Sequence, residues 1–512
     1  MKSTTLARRA GGAALVGMLG AAALTLPVDA AAPGAFTGPS TTVDPYVIPA
    51  APGVFTQSLL TVNDLPAPGG YGMVGIPDGL GAYLDGSGNV VVHMNHELRN
   101  NRGITRRHGQ IGAFQSRIMI DPVTFKVRFA NDLNTLVRYY DHGTDAYVGT
   151  APAGESAAFN RFCSADQAEA GRFFNATSGN GTTERIFMAG EEAGAEGRAF
   201  GTLDNGVTTQ LPRLGRFSFE NVVPAHNATD RTVVAGMDDT FDGRLSIYSG
   251  TKKSGGGVYY NAGLTNGVLS NVKLGDVAVQ TDAAFRAAYD VGDEVPFGLV
   301  GIDWDQTGAA QKAEADAKGA FRMNRIEDAA WDPSNPDDLY VTTTDGGEGS
   351  TGGGGGGLWR LRFADVENPQ LGGTLTLLLD GTESIGFSKP DNLTVDDHGN
   401  VLIQEDPGGD DALARIVGYR ISDGALGEIA TFDPARFDPA VAGPVLITND
   451  EESSGIIPAD DLFGPGWYLF DAQVHTGAGL PGGTGAGTVD ELQEHGQLLA
   501  MRVTDWAAVY GS

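Results

Sequence analysis

Six apolar runs in this sequence end on acidic or polar residues, and those endings hold most of its chemical potential. "VVVHMNHE" ends at Asn95-His96-Glu97, "RIFMAGEE" at Glu191-Glu192 and "RTVVAGMDD" at Asp238-Asp239. "DLYVTTTD" ends at Asp345, "NVLIQED" at Glu405-Asp406 and "GWYLFDAQVH" at Gln473 and His475. Glu220 closes "GRFSFE"; strand alternation puts Phe217 and Phe219 on one face and leaves Ser218 and Glu220 on the other. "NDEESSG", from Asn449, adds Glu451-Glu452 in a turn rich in oxygens, the donor type of a hard-cation site. Arg325 precedes Glu327 by two residues, and arginine suits bidentate contact with phosphate or carboxylate. Taken singly, each has a bland explanation: a solvated turn at Asn95, an internal Arg325–Glu327 pair. Gathered at one end of a channel, the carboxylates would raise one another's pKa severely unless cations neutralised them. Oxygen-rich ligands suit Ca²⁺ or Fe³⁺ rather than Zn²⁺, whose sites favour His and Cys.

The segments that must position these residues repeat. Pro77–Glu97, Glu327–Asp345 and Pro390–Asp406 each read as an entry acid, a short strand closing on Asp, a tight turn and a stronger strand. Gly88-Asn89 and Gly399-Asn400 have the turn chemistry this needs. The other three units share the second half only. Short β-type runs punctuated by Gly, Pro, Asn and Asp fill most of the chain, an all-β pattern. The repeat predicts a six-bladed β-propeller with irregular loop and short helical insertions, its equivalent strand ends meeting near a central channel. Paired β-sandwiches fit the strand pattern too, but do not explain a repeated chemistry at strand ends. Helices are expected as insertions over 281–289 and 308–318. The run Gly352–Gly357 reads as a flexible loop, because no Lys-Ser/Thr or helix follows it as a phosphate loop requires.

The 512 residues carry 34 basic and 64 acidic side chains, a net charge of −30, which repels nucleic acid. Lys2, Arg8 and Arg9, an apolar run from Ala13 to Leu26 and the small residues around Val28-Asp29-Ala30 compose a signal peptide over 1–30. Arg8-Arg9 fits either a twin-arginine signal or an ordinary secretory n-region. Residues 31–512 are expected to form a single propeller domain with no stable membrane insertion, placed in the periplasm or outside the cell. Cys163 is the only cysteine, although exported proteins use cysteines in pairs. It reads as a buried apolar residue, a thiolate ligand to a metal or half of an intermolecular disulfide, with burial the simplest.

These residues resemble the PhoX-type alkaline phosphatases, exported monomeric six-bladed propellers whose site holds two ferric ions and calcium ions. The resemblance runs from about Asn95 to His475. The family's "NHE" appears as Asn95-His96-Glu97, its lone iron-binding cysteine as Cys163, and its paired glutamates as Glu191-Glu192. Its "GRF-x-x-E" matches Gly215 to Glu220; its Arg-x-Glu matches Arg325-Ile326-Glu327; its "PD-x-L" blade runs from Pro390 to Asp406; its "Q-x-H" matches Gln473 and His475. The resemblance implies metal ligands at Cys163, Glu191, Glu192, Glu220, Glu327, Asp406 and Glu452, with Arg325 and Asn95 acting on a small-molecule phosphate ester. It implies Ca²⁺ and Fe³⁺ as cofactors and a monomer. Departures fall on the iron side: the gap from Cys163 to Glu191 is longer than the family's, "MAG" precedes the glutamates, and Ile326 replaces a proline. The reaction expected is metal-assisted hydrolysis of phosphate monoesters. The other readings are a calcium-dependent propeller hydrolase, phytase-like or lactonase-like, and a non-catalytic calcium-stabilised binding propeller.

Overall fold

The computed structural model describes residues 32–65, 71–227, 229–346, 355–386, 388–409 and 412–511. The signal-peptide segment and part of the Gly352–Gly357 run lie outside the described residues. The rest is mostly β-structure. The strands divide into sheets that start, with few exceptions, on consecutive antiparallel pairs. Pro77–Leu84, Val90–His96, Phe114–Ile120 and Val127–Asp132 make one four-stranded sheet in sequence order. A second begins with Phe162–Gln167 and Ile186–Glu191 and takes Leu136–Asp141 in parallel at its far side. A nine-stranded sheet has two antiparallel arms, one from Phe219–Pro224 and one from Ile326–Trp331, joined through Val295–Ile302. A fifth arm runs outward from Pro390–Val395 to Leu426–Phe432 and ends on Val47–Pro49. In the last sheet Glu451–Pro458, Trp467–Val474 and His495–Val503 are completed by Val54–Thr61, a strand from the start of the chain.

The innermost strands are Pro77–Leu84, Phe162–Gln167, Phe219–Pro224, Ile326–Trp331, Pro390–Val395 and Glu451–Pro458, and each touches the next in a circuit that returns to the first. Polar side chains stitch the circuit where apolar packing stops. Asn221 Nδ2 donates to Asp328 Oδ1 at 2.6 Å, Leu393 N to Asp328 Oδ2 at 3.1 Å and Gly455 N to Asn392 Oδ1 at 2.5 Å. Farther out the sheets pack through apolar clusters, such as Met237, Phe285, Trp331 and Trp359 between the two arms of the nine-stranded sheet. The expected helices form as Asp282–Ala288 and Gly308–Ala317, capped by Thr281 and Thr307, whose side chains accept from Ala284 N and Ala310 N. No helix among the described residues is long and apolar enough to cross a membrane.

Candidate metal centre

Three features of the repeat point side chains at one place. The first is a β-bulge. The innermost strands slip register between Pro77 and Leu80, Phe162 and Ala165, Phe219 and Val222, Ile326 and Ala329, and Pro390 and Leu393. An extra residue in one strand bends it and re-aims a side chain; the residues so re-aimed are Asp78, Cys163, Glu220, Glu327 and Asp391. The second is the residue just past each second strand: Glu97, Glu192, Asp239, Thr344, Asp406 and His475. Its N–H donates to the residue preceding the innermost strand in every unit: Glu97 to Ile76, Glu192 to Arg161, Asp239 to Ser218, Thr344 to Arg325, Asp406 to Lys389 and His475 to Asp450, over 2.8–3.1 Å. The third is backbone strain. Ile76, Arg161, Arg325 and Lys389 hold φ of 51°, 42°, 52° and 46°, a region that non-glycine residues seldom enter and that clusters at functional sites.

The result is a cavity of about 750 Å³. Its floor carries Asp78, Cys163, Glu220, Asp239, Glu327 and Asp391; Glu97, Glu192, Asp406, Glu452 and His475 stand around them. Ligand atoms of Asp78, Cys163 and Glu220 lie within 4.8 Å of one another, as do those of Glu97, Cys163 and Glu192, of Glu192, Glu220 and Asp239, and of Glu220, Glu327 and Asp391. Glu220 and Cys163 each belong to more than one group, so neighbouring ions there would share ligands.

Burial first, then neighbouring carboxylates, pushes Glu220 up to about 8 and Asp406 up to about 8. Asp78, Glu327 and Asp391 rise well above the carboxylate range for the same reasons. Burial, then Glu220 and Glu97, drives the Cys163 thiol upward as well. So many carboxyl groups ionise together only beside positive charge. The side chains present supply part of it. Arg325 gives Nε and Nη2 to Asp239 at 2.8 and 3.0 Å and lies 3.0 Å from Glu327. Arg161 pairs with Glu192 and stands 3.5 Å from Glu97. Burial depresses the His475 ring, but Glu452 and Glu494 outweigh it and raise it to about 12. The rest of the donor set, many oxygens and one thiol, fits hard cations with room for a softer one at Cys163.

The structure brings Cys163, Glu192, Glu220, Arg325, Glu327, Asp406 and Glu452 together. It does not bring Glu191 or Asn95. Glu191 points away from the cavity and takes Arg198 Nε at 2.6 Å and Nη2 at 2.8 Å, because adjacent residues on a strand face opposite ways. Asn95 is fully buried one layer below, where its Nδ2 donates to the Cys163 carbonyl at 2.6 Å. It positions the cysteine's backbone and does not line the cavity. The sequence reading gave no role to Arg161, took Asp239 only as one of the strand-ending acids and Asp78 and Asp391 only as entry acids of their repeats, and named none of these as a metal ligand. Asp78 and Asp391 were detectable, since both follow a proline at the position that Glu327 occupies in its own repeat.

The sequence model of the alkaline phosphatase PhoX family matches residues 202–443. The solved structure of Pseudomonas fluorescens PhoX in complex with vanadate, a transition-state analogue, superimposes with a TM-score of 0.58 at 14% identity, over 89% of this chain and 97% of that one. A protein of unknown function from Dyadobacter fermentans gives a TM-score of 0.40 at 10% identity, over 88% and 100%. No curated protein matches the sequence. In sequence over residues 202–443 the chain resembles the PhoX alkaline phosphatase family, and over most of its length it shares the fold of Pseudomonas fluorescens PhoX.

Proposed function

We propose that the chain is an exported, monomeric six-bladed β-propeller phosphatase that hydrolyses phosphate monoesters at a multi-metal site in its central cavity. The observation that carries the reading is the convergence of Cys163, Glu220, Arg325, Glu327 and Asp406, distant in sequence, on one acidic cavity. The closed circuit of six innermost strands supports the blade count. Oxygen donors favour Ca²⁺, and the buried thiol of Cys163 favours iron beside it.

When bound, such cations supply neutralisation of the phosphoryl oxygens and activation of the attacking water. Arg325 is locked by Asp239 and Glu327 in one orientation, and its Nη1 remains to grip a phosphoryl oxygen as charge develops. Ser164 gives both its N–H and its hydroxyl to Glu220, at 3.2 and 2.9 Å, and so fixes that carboxylate. The Thr344 hydroxyl does the same for Glu327. Arg99 and Arg102 stand exposed on the cavity rim with no ion pair among the described residues, and attract an anionic substrate into a strongly negative protein.

An aryl phosphate tests the reading. Turnover should be abolished by a chelator and restored by Ca²⁺ with iron; full activity in stripped enzyme would reject it. Cys163→Ala separates the two metals: iron should no longer co-purify, whereas an unchanged iron content would place the iron on other ligands, and iron absent from the wild type as well would leave a calcium-only hydrolase.

A further inference from the structure

Asp471 lies in the second strand of the last sheet, outside the cavity lining but close enough to Asp78 and Glu452 to feel their charge. It is fully buried, and neither carboxylate oxygen has a hydrogen-bond partner among the described residues. Two residues on, and so on the same face of the strand, Gln473 is also fully buried. Its Nε2 donates to Asp78 Oδ2 at 3.3 Å and to the Ser454 hydroxyl at 3.4 Å, while its Oε1 has no donor. Buried polar groups without a partner are rare in folded proteins, and a buried lone carboxylate is among the most expensive.

The repeat shows how unusual this position is. Counting back four residues from the cavity position, the other second strands carry His93, Met188, Ala235, Tyr340 and Leu402, all buried. His93 satisfies its ring on Gln167 at 2.8 Å and the others are apolar or aromatic. Only the last sheet places a carboxylate at this level. It faces the seam where the last sheet meets the first. There Gly455 sits in the strand's bulge at φ 62°; a Cβ on it would lie 3.1 Å from Asp471 Oδ2, 3.1 Å from the Asp78 main-chain oxygen and 3.0 Å from Leu80 Cγ. The glycine thus lets the two oxygens approach the bulge closely, where any side chain would crowd them.

We propose that Asp471, the Gln473 side-chain oxygen and the Asp78 carbonyl hold a hard divalent cation, Ca²⁺ by its all-oxygen donor set, at the seam between the last sheet and the first. This ion is distinct from those of the cavity but borders them through Asp78, whose carboxylate faces the cavity, and its site stands whether or not the protein is a phosphatase. It clamps Trp467–Val474 to Pro77–Leu84 and so locks the point where the circuit of sheets closes.

The full-length protein tests this directly. Crystals soaked in Mn²⁺ should show an anomalous peak within coordination distance of Asp471; no peak there overturns the proposal. In solution, Asp471→Asn should bind one cation per chain fewer than wild type by elemental analysis. The cavity double variant Glu220→Gln/Glu327→Gln should keep a Ca²⁺-dependent rise in Tm, and adding Asp471→Asn to it should remove that rise. Equal metal content in wild type and Asp471→Asn, or a Ca²⁺ response that survives the triple variant, would also overturn it. If Asp471→Asn fails to fold, the wild-type anomalous map decides alone.

Discussion

Acidic residues come in adjacent pairs here, and the two members of a pair live in different regions. Glu192, Asp239, Asp406 and Glu452 face the cavity; Glu191, Asp238, Glu405 and Glu451 face outward into the sheets. Three of the outer members are partnered by the protein itself, whereas Glu451 takes only Ala414 N at 3.4 Å and leaves Oε2 without a donor among the described residues. Arg198 holds Glu191, and Arg415 gives Nε and Nη2 to Glu405 at 2.8 and 2.7 Å. Asp238 accepts from Arg244 N at 3.3 Å. The inner members crowd against each other, and protein cations answer only some of them. One region has most of its counter-charge built in; the other has much less.

The sharpest break of this contrast is at the inner ring. Glu220→Gln combined with Glu327→Gln should remove aryl phosphate turnover by more than about 10³-fold with no loss of Tm in stripped protein; residual activity near wild type would erase the distinction. Arg325→Ala should lower kcat by roughly 10²- to 10³-fold, the scale of one lost charge-stabilising donor, measured by steady-state kinetics.

Acidity distinguishes the regions as well. In stripped protein Glu220 and Asp406 titrate near 8 when folded, against about 4 when unfolded. Between those values the folded state binds more protons, so stability is greatest on the acid side and declines as pH rises toward about 8. The Tm of EDTA-treated protein should therefore drop between about pH 5 and 8, while metal-loaded protein should lack that drop. Identical profiles would mean the inner acids are not the metal ligands.

At the outer ring the effect should reverse in kind. Glu191→Gln leaves Arg198, only 4% exposed, with the longer Glu155 pair at 3.4 Å as its remaining carboxylate. It should lose about 3 kcal/mol in denaturant unfolding while metal-loaded enzyme keeps most of its kcat. The smallest effect is expected at the rim. Arg99→Glu with Arg102→Glu should lower kcat/KM by about 10-fold at low salt and much less at high salt; a salt-independent loss would place these arginines in direct contact with substrate.

The second-strand endings were legible in the sequence because an apolar run that stops on acids is visible without knowing the register. Which member of a pair turns inward was not, since a shift of one residue exchanges the faces of a strand. Glu191 was assigned to the metals for that reason, and nothing nearby marks Arg198, seven residues on, as its partner. Asp78, Asp391 and Asn221 depend on bulges, which leave no reliable trace in alternation. Asn95 shows the same limit: a polar residue at a strand end reads as functional, yet it serves the backbone of Cys163. The left-handed turns at Arg161 and Arg325 were hidden too, because these are not glycines.

The strand Val54–Thr61 has a consequence for how such a molecule is made. It docks on His495–Val503, so a strand near the start of the described residues waits for one near their end. A growing chain can form its hairpins one by one, but none shorter than His475 owns the complete set of ligands. Any ion held by the full set can therefore load only once the chain through His475 has been made, and the compartment where that happens decides which metals the protein meets first.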